Sequence, residues 1–300
     1  MLGELEGTVV FRELLALFPT SWLERISSHP SSEAAEKTVT MSGFKLTSGS
    51  GRFERDANVQ SSASGEPIRH TQRPMVTGSS VIAMRCVDGV VIGADTLASY
   101  GSMARFRKIS RLHKATDMCV VGAGGDLSDF QQLTTMVDKE TNRDYCFNDG
   151  HGLSPKAIHQ YVARVMYNRR NKMDPLWNYV VIAGMQNGDD GEEAKPVLGL
   201  VDLVGTHFES EVIATGFGEY LGLPLLRKAY REDITVAEGK KVVEQIMKVL
   251  FYRDARTIDR VQIATVTKDG VDMGEPFKLE TEWSYKAFVD GARAGDMSTW

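Results

Sequence analysis

Hydrophobic and polar positions alternate regularly only from Met75 onward. The runs SSVIAMRC and GVVIGADT each have the apolar, partly β-branched composition of a buried strand. The Asp88-Gly89 dipeptide between them is typical of a tight hairpin turn. The pattern therefore predicts a β-meander, with strands near residues 79–86, 89–96, 109–114 and 118–123.

Two helices are predicted next. Apolar side chains recur at helical spacing after Asp126, which is suited to cap the first helix, and Ser154-Pro155 supplies an N-cap and a first-turn proline for the second. Further along, Thr235 and Glu238 form a capping box for a longer helix. The remaining predicted elements are strands at 179–185 and 196–203 and one ending at Ala214, a short helix from Gly218, the capped helix through Leu250, and strands at 260–267 and 271–278.

The predicted order is strands, two helices, strands, two helices and strands. Two sheets stacked face to face, each covered on its outer side by a helix pair, bury the apolar faces of all these elements. A doubly wound parallel sheet is the alternative, but it requires strict alternation of strand and helix, which the pattern lacks. We therefore predict an α+β fold, a four-layer αββα sandwich.

The N-terminal part of the chain differs in composition. Residues 28–73 are rich in Ser, Glu, Arg and Gly and poor in aliphatic residues, as in a flexible or detachable arm, and a short amphipathic helix is predicted over 9–18. Acidic residues near the start argue against a signal or transit peptide. We predict a removable arm at 1–70, a globular domain at 71–282 and a C-terminal tail at 283–300.

Composition narrows the class of function. The 300 residues include 35 Lys and Arg against 40 Asp and Glu, a formal net charge of −5, which argues against nucleic-acid binding. No run approaches about 18 consecutive apolar residues, so a membrane span is not expected. Neither the histidines nor Cys86, Cys119 and Cys146 have a metal-ligand or disulfide spacing. The sequence favours a reduced, intracellular protein without metal or cofactor.

Several blocks of sequence carry a specific resemblance. In chain order they are GSSVIAM, DGVVIGADTLASYGSMARF, VVGAGGDLSD, MYNRRNKMDPLWN, ATGFGEYLGLPLLR and VLFYRDAR. Over roughly residues 71–290 the chain resembles proteasome beta subunits, which implies the Ntn-hydrolase form of the αββα sandwich. Within that family it is most similar to the beta-seven class, called beta type-4 in vertebrates, whose members do not cleave peptides.

The resemblance also assigns positions in the family's catalytic centre. Active members use an N-terminal threonine, freed by cleavage after a glycine, as the nucleophile, with its own amine as the base and a lysine beside it. Here the nucleophile position holds Ser79, preceded by Gly78. The supporting carboxylates fall on Asp95 and Asp254, the lysine position holds Arg111, and the supporting hydroxyl positions hold Phe217 and Thr257.

These departures predict a centre that does not work. An arginine cannot give up its proton in a protein, whereas a buried lysine can, and the ring of Phe217 can neither donate nor accept the required hydrogen bonds. Gly124 and Gly125 match the family's oxyanion-donor region, but they also fit a purely steric role at a bend. Two alternatives stay open: an active N-terminal-nucleophile endopeptidase that uses Ser79, and a free-standing binding module.

The resemblance implies a mature N-terminus at Thr71, produced by a neighbouring active subunit. It further implies other alpha and beta subunits as partners in a stack of four seven-membered rings, assembly chaperones, a location in cytoplasm and nucleus, and a part in degrading ubiquitin-tagged proteins. No nucleic acid or membrane is expected as a partner. The tail carries aromatic residues of the kind that anchor interfaces, namely Trp283, Tyr285, Phe288 and Trp300.

Overall fold

The computed structural model describes residues 73–148, 152–188 and 193–284, and the backbone of three short strands nearer the N-terminus. The chain divides into two compact units, 1–69 and 70–300. In the first unit an antiparallel sheet consists of β1 (Val39–Met41), β2 (Phe44–Leu46) and β3 (Phe53–Arg55). The helix predicted over 9–18 lies outside the described residues.

The second unit contains the remaining elements. Its strands are β4 (Val76–Gly78), β5 (Val81–Arg85), β6 (Gly89–Asp95), β7 (Ala98–Tyr100), β8 (Met103–Phe106), β9 (Leu112–Thr116), β10 (Cys119–Asp126), β11 (Asn178–Gln186), β12 (Lys195–Val201), β13 (His207–Glu209), β14 (Val212–Ala214), β15 (Arg260–Thr267), β16 (Gly270–Asp272) and β17 (Phe277–Lys278). Its helices are α1 (Leu127–Phe147), α2 (Pro155–Asn171), α3 (Phe217–Leu221), α4 (Leu223–Ala229) and α5 (Val236–Arg253).

Two antiparallel sheets form the centre of this unit. The larger has the order β13-β12-β11-β10-β4-β7-β8, with β9 also paired to β10. The smaller has the order β14-β5-β6-β15-β16, with β17 also paired to β15. Since β6 leads directly into β7, the chain passes from the smaller sheet to the larger one at Asp95–Ala98.

Three apolar layers confirm the predicted four-layer αββα sandwich. One layer lies between the larger sheet and helices α1 and α2, a second lies between the two sheets, and a third lies between the smaller sheet and helices α4 and α5. Strand β5 contributes to two of them, because Ile82 and Met84 face the helices whereas Val81 and Ala83 face the other sheet. This two-residue period explains why the strand is apolar throughout.

The predicted helix starts are confirmed. The Asp126 carboxylate accepts hydrogen bonds from the backbone N–H groups of Ser128 and Asp129 at the start of α1. Ser154 caps α2 by accepting from the Ala157 N–H, and Pro155 is its first residue. These caps form because each satisfies backbone N–H groups that have no partner within the helix.

No helix among the described residues has the length and apolarity needed to cross a bilayer.

The predicted meander is wrong in its topology. The strands near 79–86 and 89–96 belong to the smaller sheet, whereas those near 109–114 and 118–123 belong to the larger one. Strands β4, β7 and β8 were not predicted, since three or four residues are too few to establish a periodicity. The strand predicted over 271–278 is divided into β16 and β17, which pair with opposite ends of β15.

Candidate functional site: the cleft around Ser79

Ser79 lies between β4 of the larger sheet and β5 of the smaller sheet, and it is half-buried. Its hydroxyl donates a 2.6 Å hydrogen bond to the Asp254 carboxylate. Asp254 is the C-cap residue of α5 and also accepts from the Arg256 backbone N–H at 2.8 Å. The fold therefore brings together the predicted nucleophile position and one of its two predicted carboxylates.

The Arg111 side chain is buried beside Ser79, with 2% of its surface exposed. Its guanidinium pairs with the Asp95 carboxylate and also donates to the Asp95 carbonyl at 3.1 Å. It further donates to the backbone carbonyls of Ser79 at 2.8 Å, Ser80 at 2.9 Å and Ala123 at 3.3 Å. One side chain thus ties both sheets together directly beside Ser79.

Gly78 provides the space that this arginine occupies. A Cβ atom at Gly78 would lie 2.4 Å from Cδ of Arg111, closer than non-bonded atoms approach one another, and 3.1 Å from its Nε. Any larger residue at position 78 would therefore displace the side chain of Arg111 from its place between these carbonyls. This dependence was not predicted, because it follows from a contact between residues 33 positions apart.

The Arg111 side chain supplies no base beside Ser79. Burial raises the pKa of the Asp95 carboxyl, and the charge and hydrogen bonds of Arg111 oppose that rise. Arginine stays protonated at any pH at which the protein is folded. The five contacts with carbonyl and carboxylate oxygens hold the Arg111 guanidinium in place. Its permanent positive charge therefore occupies the position where a base would be needed.

Phe217 lies at the start of α3, on the rim of the cleft, with 60% of its surface exposed. The hydroxyl groups near it bind backbone instead of Ser79. The Ser80 hydroxyl accepts from the Gly218 N–H at 2.8 Å, and the Thr215 hydroxyl accepts from the Val81 N–H at 2.9 Å. The roles of Ser80 and Thr215 were missed, and no sequence signal marks them.

Thr257 likewise uses its hydroxyl within its own turn. The hydroxyl donates to the carbonyls of Asp254 at 2.9 Å and Leu250 at 3.3 Å, at the end of α5. It therefore holds the turn that presents the Asp254 carboxylate. Among the described residues, the Thr257 hydroxyl forms no hydrogen bond with Ser79, because it is bound to these two carbonyls.

Strand β4 fills the space between β10 and β7. Thr77 pairs with Asp126 on one side and with Ser99 on the other, and the Ser99 hydroxyl donates to the Thr77 carbonyl at 3.2 Å. The Met75 N–H donates to the Asp126 carboxylate at 3.0 Å. The segment directly before Ser79 is thus held as a sheet strand on both edges, and an incoming peptide cannot pair with either of those edges there.

A cavity of about 300 Å³ remains next to Ser79. Gly124 and Gly125, which match the family's oxyanion-donor region, are among the residues that line it. Gly125 has φ of +97° and would place a Cβ 2.0 Å from the Trp177 carbonyl, so glycine is required there by conformation and by space. The steric explanation of this pair is sufficient for Gly125.

Residues 75–266 match the family described as Proteasome subunit, more than half of the chain. The chain belongs to the proteasome subunit family. The resemblance read from the sequence blocks is therefore confirmed, and the matched region of this proteasome subunit includes Ser79, Asp95, Arg111 and Asp254.

Named relatives support the same assignment. The proteasome subunit is 47% identical over 227 residues to proteasome subunit beta type-4 of Xenopus laevis, across 75% of this chain and 91% of the frog protein. It is 41% identical over 254 residues to probable proteasome subunit beta type-7 of Schizosaccharomyces pombe, across 82% and 95%. It is 39% identical over 241 residues to proteasome subunit beta type-7 of Saccharomyces cerevisiae, across 76% and 88%.

Of the four predicted interface residues, the structure describes Trp283 alone. Trp283 is described, and 63% of its surface is exposed although its ring makes edge contacts with Phe251 and Tyr252 at centroid distances of 5.9 and 5.0 Å. The Tyr252 hydroxyl accepts from the Glu282 N–H at 2.8 Å and donates to the Glu282 carbonyl at 3.2 Å. Thr71, Tyr285, Phe288 and Trp300 lie outside the described residues.

Proposed function

We propose that this chain is a structural, non-catalytic beta subunit of the 20S proteasome core particle. The proposal assigns to it the building and closing of the proteolytic chamber, in ATP- and ubiquitin-dependent protein degradation, while other subunits cleave peptides. It rests on membership in the proteasome subunit family and on relatives named as beta type-4 and beta type-7 subunits.

The observation that carries the non-catalytic part is the buried Arg111 network. A working centre requires a group beside the nucleophile that can exchange a proton, and the loss of such a group typically costs about 10²–10⁴ in rate. Arg111 is permanently charged, and its donors are bound to Asp95 and to the carbonyls of Ser79, Ser80 and Ala123.

Strand β4 supports the same conclusion. Activity at Ser79 requires a free amine, which means cutting the chain after Gly78 and releasing β4 from both of its neighbours. A cut before Thr71 leaves β4 in place and Ser79 within an uninterrupted backbone. We therefore propose maturation near Thr71, carried out by an active subunit nearby.

The wider setting belongs to the proposal as well. We place the subunit in a seven-membered beta ring within a stack of four rings, assembled with alpha and other beta subunits and with the help of chaperones, in cytoplasm and nucleus. The tail residues Trp283, Tyr285, Phe288 and Trp300 are assigned to contacts between subunits, a role that suits their aromatic character.

The mature N-terminus tests the proposal directly. The particle is purified from cells that express the tagged chain, and the chain's intact mass and N-terminal peptide are measured. We expect a start near residue 71. A start at Ser79 would replace the structural role with that of an active peptidase, and absence of the chain from the particle would contradict membership in the core.

Replacing the nucleophile position provides the second test. The variant Ser79→Ala should leave every peptidase activity of the assembled particle near that of the wild type, because Arg111 already prevents base catalysis there. Ser128→Ala, at an exposed position in the first turn of α1, is the matched control. Loss of one activity in Ser79→Ala particles that assemble normally would overturn the non-catalytic assignment.

A further inference from the structure

The segment from β7 to β9 has an unusual charge. Residues 96–116 contain five Lys and Arg and no Asp or Glu. Two of these cations have carboxylate partners, since Arg111 pairs with Asp95 and Lys114 with Asp117. In the part of the chain that the structure describes, the other three form no ion pair; they are Arg105, Arg107 and Lys108, all exposed.

Exposed apolar side chains surround these cations. Tyr100, Met103 and Phe106 have 47%, 60% and 40% of their surfaces exposed. The Arg105 guanidinium lies 5.9 Å from the Tyr100 ring centroid and 5.4 Å from that of Phe106, which fixes its position through cation–π contacts. We call the set Tyr100, Met103, Arg105, Phe106, Arg107 and Lys108 the β7–β8 face.

Protection of a sheet edge does not account for this composition. Strand β8 is the end of the larger sheet's strand order, and charged residues on such an edge commonly prevent unwanted pairing. That purpose would be met by charge alone, without an exposed methionine and two aromatic rings. Tyr, Phe, Met and Arg are the residues enriched in protein interfaces, and Arg and Tyr often contribute most of the binding energy.

We infer that the β7–β8 face docks onto an acidic surface segment of a neighbouring proteasome subunit. The inference rests on the proposed function, because it requires a neighbour in the particle. The acidic character follows from the three cations, since burying them against a neutral surface leaves charges without partners. The arginine already stacked on two rings presents its N–H groups in a fixed arrangement, which suits bidentate pairing with a carboxylate.

Photo-crosslinking from position 103 tests the inference in the assembled particle. A photo-reactive phenylalanine analogue replaces Met103, the particle is purified and irradiated, and the joined peptides are identified by mass spectrometry. The same analogue at Val87, which is also 60% exposed but lies on the turn between β5 and β6, is the control. We expect position 103 to join an Asp- and Glu-rich peptide of another subunit, one that position 87 does not reach.

Every other outcome at position 103 overturns the inference. These outcomes are a crosslink to this chain's own residues, a crosslink to a neutral or basic peptide, and no crosslink. None of them affects the proposed function, because the particle analysed contains the chain. If the chain is missing from the purified particle, the proposed function fails before any crosslink is formed.

Charge reversal provides an independent measurement. The double variant Arg107→Glu with Lys108→Glu should lower the share of the chain found in full particles about tenfold, since like charges then face each other across the interface. Lys240→Glu with Lys241→Glu, a reversal of equal size at exposed positions of α5, should leave the share near that of the wild type. Equal shares for the two double variants would contradict the docking of the β7–β8 face.

Discussion

The cleft around Ser79 and the surface around Trp283, where Tyr252 of α5 contacts that tryptophan, differ in how their largest side chains are used. In the cleft, Arg111 is buried and its donors are bound to the protein's own carbonyls and to Asp95. At the end of α5, Tyr252 fixes the backbone of Glu282, but the ring of Trp283 remains mostly exposed.

The first region uses its side chains to hold the fold together, whereas the second exposes an aromatic side chain that another molecule can contact. In the cleft the donors of Arg111 are bound within the chain, so the residue at the family's lysine position holds the two sheets together. The Trp283 ring has edge contacts with Phe251 and Tyr252 and leaves most of its surface exposed for another molecule. A structural subunit of a large complex requires both properties, a stable interior and apolar groups available for assembly.

Removal of the guanidinium should have the largest effect. Arg111→Ala leaves the Asp95 carboxylate buried without a charged partner, and such a change typically costs about 3–5 kcal/mol. Urea unfolding of the purified chain should show this loss in the free energy of unfolding. Arg227→Ala, at an exposed position of α4, is the control and should change it by no more than about 0.5 kcal/mol. A loss below about 1 kcal/mol at Arg111 would show that the network does not stabilise the fold.

A methyl group at position 78 should have a smaller effect in the same place. Gly78→Ala puts its Cβ 2.4 Å from Cδ of Arg111, and overpacking of this kind costs about 1–3 kcal/mol. Gly152→Ala, where no atom of the described residues lies within 4 Å of the added carbon, is the matched control. In an Arg111→Ala background the cost of Gly78→Ala should largely disappear, and fully additive losses would mean that the two residues do not interact.

Local features of this fold were predictable, and features that depend on distant contacts were not. Asp126 and the Ser154-Pro155 pair were identified as helix starts because a cap and the N–H groups it binds lie within a few residues. Strand β4 was not predicted, because its three residues form a strand only by pairing with β7 on one side and β10 on the other.

The candidate site divides in the same way. Ser79, Asp95, Arg111 and Asp254 were located by resemblance, and the fold brings them together in two pairs, Ser79 with Asp254 and Asp95 with Arg111. The contribution of Ser80 was not foreseen, because its hydroxyl bonds to Gly218, 138 residues away. A serine beside a candidate nucleophile has no distinctive sequence pattern, and only the packing of α3 against β5 gives it a partner.

The smallest effect is expected at the outer end of α5, and it should be local. Tyr252→Phe keeps the ring that contacts Trp283 but removes the hydroxyl that accepts from the Glu282 N–H and donates to its carbonyl. Hydrogen bonds of this kind contribute about 0.5–1.5 kcal/mol each, and these two are exposed and belong at the low end, so the free energy of unfolding should fall by about 1 kcal/mol. Amide hydrogen exchange at Glu282 should become faster, while exchange in β5 and β6 stays unchanged. Exchange is carried out on the whole chain and measured by mass spectrometry of its peptides after digestion. Tyr220→Phe removes an exposed phenol from α3 and should alter neither region. Unchanged exchange at Glu282 would show that the Trp283 contacts alone fix this backbone, whereas faster exchange in β5 would show that the two regions are coupled.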